Sequence, residues 1–224
     1  MAGGECLIHT KCVSKEVITL AGKLAPLVQA HELVMARGTA LALQIGHRIS
    51  VDLDFFTSKA FSTDQILKEL TQRDLKPEIL QETEGSITAI CDGIKVSIFH
   101  YPYPFQDEQA LWEGIPLSGI VDIASMKVIA ISQRGAKRDF VDLYYILKDV
   151  PFRKIARNMV NRFSPERINP VSIGKGLTYF NDAEADPEPV YMDKKYQSWN
   201  EIEKFFRNNV RQIVLDMDIA IKRE

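Results

Sequence analysis

The sequence predicts an α/β first half with a mixed β-sheet, followed by a helical second half. Between residues 76 and 103 the apolar residues alternate as in strands, and Asp92-Gly93 marks a tight hairpin. After Gly114-Ile115-Pro116 the apolar spacing becomes that of helices. We therefore expect an α/β domain over residues 1–117 and a helical domain over residues 118–224.

The composition is that of an ordinary globular protein with a sizeable core. The chain has 224 residues, of which 46% are hydrophobic, and its 28 basic and 30 acidic residues give a net charge of −2. Bulk charge therefore draws it to neither nucleic acid nor membrane, and binding to either must be local. The three cysteines lack metal-ligand spacing, and no apolar run reaches the ~18 residues of a membrane span. We expect a cytoplasmic protein with reduced thiols and no membrane partner.

The first half should contain several short elements in a fixed order. A helix begins at Ser14 as its N-cap, and Pro26 should end or kink it. Further helices are expected at 40–45 and 62–70, and further strands at 32–36, 77–82, 86–92 and 94–101. Between the two helices lies a strand that carries Asp52 and Asp54 and is closed by Thr57-Ser58.

Asp52 and Asp54 are the first candidate site residues. In a strand they point the same way, whereas Val51, Leu53 and Phe55 should point into the core. Two converging carboxylates suit Mg²⁺ or Mn²⁺. The pattern alone is weak, because it recurs at 216–218, where we expect the solvated face of a terminal helix.

Gly38 and Thr39 lie where a helix should begin, one helix upstream of the acids. Free N–H groups at a helix N-terminus favour phosphate. Arg48 and Ser50 lead from that helix into the acidic strand. The turn and the acids together predict one ligand, a metal-bound nucleoside triphosphate.

The second half should be helical, with an acidic, proline-bearing loop at 181–189. Helices are expected at 122–133, which is apolar almost all round and so buried, and at 139–147, 152–163 and 199–221. Lys127 lies inside the apolar helix, so it needs Asp122, a core carboxylate or a bound phosphate nearby. Lys127 and Arg134 are two helical turns apart, a spacing that a triphosphate could bridge.

Two segments, residues 38–56 and 122–144, resemble the two signatures of the AbiEii-like nucleotidyltransferase family. That family belongs to the DNA polymerase beta-type nucleotidyltransferases and includes toxins of toxin-antitoxin and phage-abortive systems. The resemblance implies a nucleotidyltransferase-like mixed sheet flanked by helices. It also implies that Asp52 and Asp54 hold metal, that Lys127 contacts the nucleotide as a catalytic residue, and that the other nucleotide-binding residues are Gly38, Thr39, Arg48, Ser50, Arg134, Lys137 and Asp139.

The chain departs from the family pattern at two positions. Arg37 stands where the family usually has a small residue, and Ser97 stands where a neighbouring strand often supplies a third carboxylate. Asp139 is equally open to two interpretations, as a partner of Arg134, Lys137 or the base, or as the N-cap of its helix.

The predicted function is Mg²⁺-dependent transfer of a nucleoside monophosphate from an NTP to an acceptor hydroxyl, by a toxin-like protein with an antitoxin partner. Residues 127–167 hold ten basic and four acidic side chains, so RNA such as tRNA is one candidate acceptor. Alternatively, these charges line only the triphosphate site or pair with the acidic loop. A different class is also open, because Arg37 and Ser97 fit a nucleotide-binding regulatory protein that has lost catalysis.

Overall fold

The computed structural model describes residues 7–107, 109–192 and 198–223, and these form two compact units. The first unit contains the residues up to Pro104 together with the segment that ends at Ser118. The second contains Phe105–Asp107 and the residues from Gly119 onward. Whether residues 1–117 and 118–224 fold as separate domains stays a prediction.

The first unit is a mixed α/β structure, which confirms the predicted fold class. Among its described residues, the α-helices and strands are α1 (Lys15–Ala30), β1 (Val34–Met35), α2 (Arg37–Ile45), β2 (Leu53–Thr57), α3 (Thr63–Gln72), β3 (Glu78–Thr83), β4 (Ser86–Cys91), β5 (Ile94–His100), β6 (Ala110–Trp112) and β7 (Ile115–Leu117).

All seven strands form one sheet in the order β3-β4-β5-β2-β1-β7-β6. The pairs β2–β5 and β1–β7 are parallel, and the other neighbouring pairs are antiparallel. Strand β2 therefore lies at the centre of the sheet. Its residues Leu53 and Phe55 are fully buried, as alternation predicted.

Local signals placed most of these elements correctly. The side chain of Ser14 caps α1 by accepting a hydrogen bond from the backbone N–H of Val17, 3.3 Å away. Ser62 caps α3 in the same way. Asp92 and Gly93, with φ angles of 49° and 79°, form the two-residue turn between β4 and β5. Pro26, however, lies inside α1 and does not end it.

The sheet deviates from the prediction at β2, at β1 and at the β6–β7 hairpin. Val51 is 57% exposed, not in the core, because β2 begins only at Leu53. The strand expected over residues 32–36 contains only Val34 and Met35. The β6–β7 hairpin was not predicted, because strands of three residues are too short to show an alternation of apolar and polar side chains.

The second unit is helical. Its helices are α4 (Ile120–Arg134), α5 (Lys137–Leu147), α6 (Phe152–Phe163), α7 (Pro170–Gly176), α8 (Asn181–Ala185) and α9 (Trp199–Ile221). Helices α6 and α9 have the predicted bounds. The predicted acidic loop at 181–189 is wrong in part, because its first half forms α8, and α7 was not predicted.

Two findings bear on the expected environment of the chain. Among the described residues, none of the helices is both long and apolar enough to cross a membrane. Cys12 and Cys91 are buried free thiols, and burial raises the pKa of Cys91 to about 11. Cys6 lies outside the described residues. The cytoplasmic location stays a prediction.

Two glycines give a paired test of this backbone. Gly22 is exposed in the middle of α1 with open space around it, so Gly22→Ala should raise the free energy of unfolding by ~0.5–1 kcal/mol. Gly93 has φ +79°, so Gly93→Ala should lower it by ~1–2 kcal/mol. Urea denaturation of both variants measures the difference. Equal effects of the two substitutions would contradict the assigned hairpin turn.

Candidate active site

The two candidate metal ligands lie at the start of the central strand of the first unit. Asp52 immediately precedes β2, and Asp54 is its second residue. Their side chains are 25% and 14% exposed, so both carboxylates reach solvent. Oxygen ligands for a metal are thus available at this end of the strand.

Each aspartate has a basic partner within the same unit. Lys95 Nζ lies 2.8 Å from Asp52 Oδ2, and Arg37 Nη1 lies 3.4 Å from Asp54 Oδ1. Sequence reasoning did not identify Lys95 as a site residue. The signal was present, because alternation places Lys95 on the same face of β5 as Ser97.

Ser97 occupies the position beside Asp54, as predicted. The parallel pairing of β2 with β5 brings Asp54 into register with Ser97, so their side chains leave the same face of the sheet. The Ser97 hydroxyl is buried and accepts a hydrogen bond from Thr88 Oγ1 on β4, 3.2 Å away. Among the described residues, no group of three or more His, Cys, Asp or Glu side chains could hold a metal.

The segment before the acids begins α2 earlier than expected. The helix starts at Arg37, after an extended N-cap residue, Ala36, which has no side-chain cap. Arg37 has φ +64°, in the left-handed region. Gly38 and Thr39 therefore lie in the first helical turn, where backbone N–H groups have no partner within the helix.

Gly38 allows a close approach of Arg48 to this turn. A Cβ at residue 38 would lie 2.6 Å from Nη2 of Arg48, a side chain that is 6% exposed. Nη1 of Arg48 donates to the backbone carbonyl of Ile49, 3.0 Å away. The buried guanidinium thus adds positive charge beside the N-terminus of α2.

Thr39 and Ser50 connect α2 to the acidic segment. Thr39 Oγ1 donates a short hydrogen bond to the backbone carbonyl of Asp52 and lies 2.8 Å from Ser50 Oγ. A hydroxyl has one proton, so the Ser50 hydroxyl donates to Thr39. Both side chains are buried and fix the backbone that carries Asp52.

These residues fit a divalent cation such as Mg²⁺. The ion is commonly bound by one or two carboxylates, with waters and substrate phosphates as its other ligands. Asp52 and Asp54 supply two carboxylates that reach solvent. The donor set is therefore small and consists of oxygen atoms, which hard cations prefer.

Two of the predicted site residues in the second unit, Lys127 and Asp139, form a buried charge cluster with Asp142, and the half-exposed Arg134 contacts this cluster. Lys127 Nζ lies 2.8 Å from Asp139 Oδ1 and 2.5 Å from Asp142 Oδ2. Arg134 Nε and Nη2 donate to the other oxygen of Asp139, at 2.9 and 2.8 Å. The anions that neutralise Lys127 are therefore core carboxylates, which was one of the three alternatives considered. The N-cap interpretation of Asp139 is wrong, because α5 begins at Lys137 with Ala136 as N-cap.

Lys137 and Asp122 also have partners within the second unit. Lys137 Nζ lies 3.1 Å from Glu188, so it pairs with the acidic segment. Asp122 is fully buried and accepts hydrogen bonds from Asn158 and from the backbone N–H groups of residues 106 and 107. Asp122 therefore anchors the 105–107 segment, a role that the sequence did not indicate.

Comparison with known proteins identifies the class of this structure. Residues 19–93 match the family model "Nucleotidyl transferase AbiEii toxin, Type IV TA system". The uncharacterised protein aq_aa25 of Aquifex aeolicus (strain VF5) is 33% identical over 204 residues, which are 89% of this chain and 97% of that protein.

Two solved structures share the fold. MenT4, nucleotidyltransferase toxin Rv2826c from Mycobacterium tuberculosis H37Rv, has a TM-score of 0.63 at 15% identity, covering 94% of this chain and 88% of that chain. JHP933 from Helicobacter pylori has a TM-score of 0.55 at 18% identity, covering 92% and 95%. Fold and family match together define a nucleotidyltransferase. The match confirms the predicted likeness to the AbiEii nucleotidyltransferase toxin family, and residues 19–93 contain the first of the two signatures.

The buried cluster of the second unit should make stability depend on pH. Burial alone would raise the pKa of the Asp139 carboxyl, but the charges of Lys127 and Arg134 hold that pKa below its ordinary value. The carboxylate therefore stabilises the fold above its unfolded pKa of about 3.9, and this contribution is lost as pH falls through the folded pKa.

Asp139→Asn should lower the free energy of unfolding by about 3 kcal/mol at pH 7, because Asp142 still faces Lys127. The difference in free energy of unfolding between this variant and the unsubstituted protein should narrow below about pH 4. Urea denaturation between pH 3 and 7 measures it, with the exposed Asp149→Asn as control. A gap that does not change with pH would contradict this role of Asp139.

Proposed function

We propose that the protein transfers a nucleoside monophosphate from an NTP to an acceptor hydroxyl, with Mg²⁺ or Mn²⁺ held at Asp52 and Asp54. One observation supports this most directly. Within the first unit, two solvent-reaching carboxylates adjoin a helix N-terminus with two guanidinium groups, those of Arg37 and Arg48. The arrangement combines oxygen ligands for a metal with donors for phosphate.

In this reaction the acceptor oxygen attacks the α-phosphorus, the bond from that phosphorus to the bridging oxygen breaks, and pyrophosphate leaves. The bound divalent ion would neutralise charge that develops on the phosphate oxygens. The N–H groups at the start of α2 and the nearby guanidinium groups would orient the triphosphate for in-line attack. Asp52 and Asp54 would hold the ion.

The proton of the acceptor hydroxyl is expected to leave to water. Ser97, in register with Asp54, cannot accept a proton near neutral pH as a carboxylate does. General-base assistance typically contributes ~10²–10⁴-fold, so we expect slow but real transfer. Binding of NTP without any transfer would favour the alternative of a catalytically inactive regulatory protein.

The residues of the second unit have a less direct place in this proposal. Nucleotide contacts of Lys127, Arg134, Lys137 and Asp139 stay predictions, because acidic side chains already meet the charges of these three basic residues. An antitoxin partner is likewise proposed for this chain, because residues 19–93 match a toxin family of toxin-antitoxin systems. Cytoplasmic NTP pools would supply the substrate.

RNA is the acceptor class that we propose to test first. Three of the ten basic residues between 127 and 167, Lys127, Lys137 and Arg162, are buried against acidic groups. The others are exposed: Arg134, Arg138, Lys148, Arg153, Lys154, Arg157 and Arg167. The surplus of positive charge is thus largely a surface property of this unit.

Filter binding to tRNA at several salt concentrations tests the RNA acceptor. We expect log K to fall with log salt concentration, and replacing Arg153 and Arg157 on α6 with Gln should reduce the slope by roughly 0.7–0.9 for each phosphate that these side chains neutralise. Arg207→Gln, on the exposed side of α9, is the control for removal of a single surface arginine. Binding that does not respond to salt would exclude a phosphate-contacting surface.

Asp52→Asn and Asp54→Asn should each reduce NMP transfer at least about a hundredfold, because a bound metal contributes several kcal/mol of charge stabilisation. Ser97→Ala should reduce the rate of NMP transfer less than about tenfold, because it removes only a neutral hydrogen bond. The double variant Asp216→Asn, Asp218→Asn removes the other Asp-x-Asp pair, on α9, and is the control. Transfer of a labelled NTP gives the rates, and an Asp54→Asn protein with full activity would refute the site.

A further inference from the structure

Both carboxylates of the candidate metal site have a basic neighbour that can also reach substrate. The side chains of Lys95 and Arg37 are each 36% exposed while they contact Asp52 and Asp54. Partly exposed ion pairs of this kind are weak, so either cation can exchange its carboxylate for another anion. Lys95 is not among the expected metal or nucleotide ligands, and the proposed function uses Arg37 only to orient the triphosphate.

Arg37 is held at this place by two aromatic rings. Its guanidinium carbon lies 4.8 Å from the ring centroid of Phe99 and 5.1 Å from that of Phe56. The two rings stack on each other with centroids 5.2 Å apart. Cation–π contacts with both rings limit the positions that the guanidinium can take. Arg37 is therefore a positioned cation beside Asp54.

Ligands for a second divalent ion are scarce at this site. Two-metal sites hold their ions ~3.5–4 Å apart between shared oxygen ligands. The residue in register with Asp54 is Ser97, whose hydroxyl already accepts a hydrogen bond from Thr88. The side chain beside Asp52 is Lys95, a cation that repels a second ion.

On the basis of the proposed function, we propose that the site binds one divalent ion and that Lys95 and Arg37 contact the triphosphate oxygens in place of a second ion. Two monovalent cations carry the charge of one divalent ion. Both groups have only donors, which match phosphate oxygens. When Asp52 and Asp54 turn to the ion, the ammonium and guanidinium are released to the phosphates.

Electron paramagnetic resonance of Mn²⁺ with an α,β-methylene NTP analogue tests the number of ions. We expect one bound Mn²⁺ for each chain, with the six-line spectrum of an isolated ion. Two coupled ions for each chain would overturn the inference and leave the proposed function intact. If the analogue does not bind to the unsubstituted protein with Mn²⁺, the proposed function itself fails.

Lys95→Ala and Arg37→Ala separate the two roles of the cations. Each should weaken analogue binding about tenfold or more, yet tighten binding of Mn²⁺ alone, because a competing cation is removed. Lys59→Ala removes the same charge from an exposed pair with Glu32 and should change neither affinity. Calorimetry measures both, and weaker Mn²⁺ binding or unchanged analogue binding would overturn the inference.

Arg37→Gly repeats the test in a backbone that glycine adopts freely at φ +64°. It should match Arg37→Ala in both affinities and exceed it in thermal stability, which distinguishes loss of the side chain from loss of the fold. Different affinities in the two variants would show that backbone strain, not the guanidinium charge, governs binding, and would overturn the inference for Arg37.

Discussion

The parallel pairing of β2 with β5 is the constraint on which the candidate site depends. It brings Asp54 into register with Ser97 and allows Lys95 to reach Asp52. A parallel pair needs a long crossover, which here contains α3, β3 and β4. On the other side of β2, the backbone N–H of Ala36 donates to the carbonyl of Asp54, so α2 begins beside the acid. One central strand therefore positions the acids, their cations and the helix N-terminus.

Burial separates the ion pairs of this protein into two physical kinds. The contacts of Asp52 and Asp54 are partly exposed, and such pairs contribute ~0–1 kcal/mol, so a metal or phosphate can replace them. Lys127, Asp139 and Asp142 are almost completely buried, and removing one member of such a cluster costs ~3–5 kcal/mol. The first kind can take part in ligand exchange, whereas the second kind stabilises the helical unit whatever else it does.

How much the sequence could predict follows from the range of each interaction. Caps such as Ser14 and the Asp92-Gly93 turn depend on neighbouring residues, and both were correct. Ser97 was placed correctly because β5 is regular enough for alternation to hold. The contacts of Lys95 depend on strand register, which one sequence does not determine. Arg37 was recognised as a departure, but its contacts arise from a left-handed backbone that an arginine does not predict.

The backbone of Arg37 is the strongest physical reason to assign it a role. A non-glycine residue in the left-handed region costs ~1–2 kcal/mol, and glycine at this position would avoid that cost. Two cation–π contacts and a partly exposed pair with Asp54 offset the strain within the first unit. Glycine would give an equally good turn with no guanidinium at the acids. Backbone strain at a position where glycine would fit is typical of functional sites. Here the strained residue, Arg37, places a positive charge beside a proposed metal ligand.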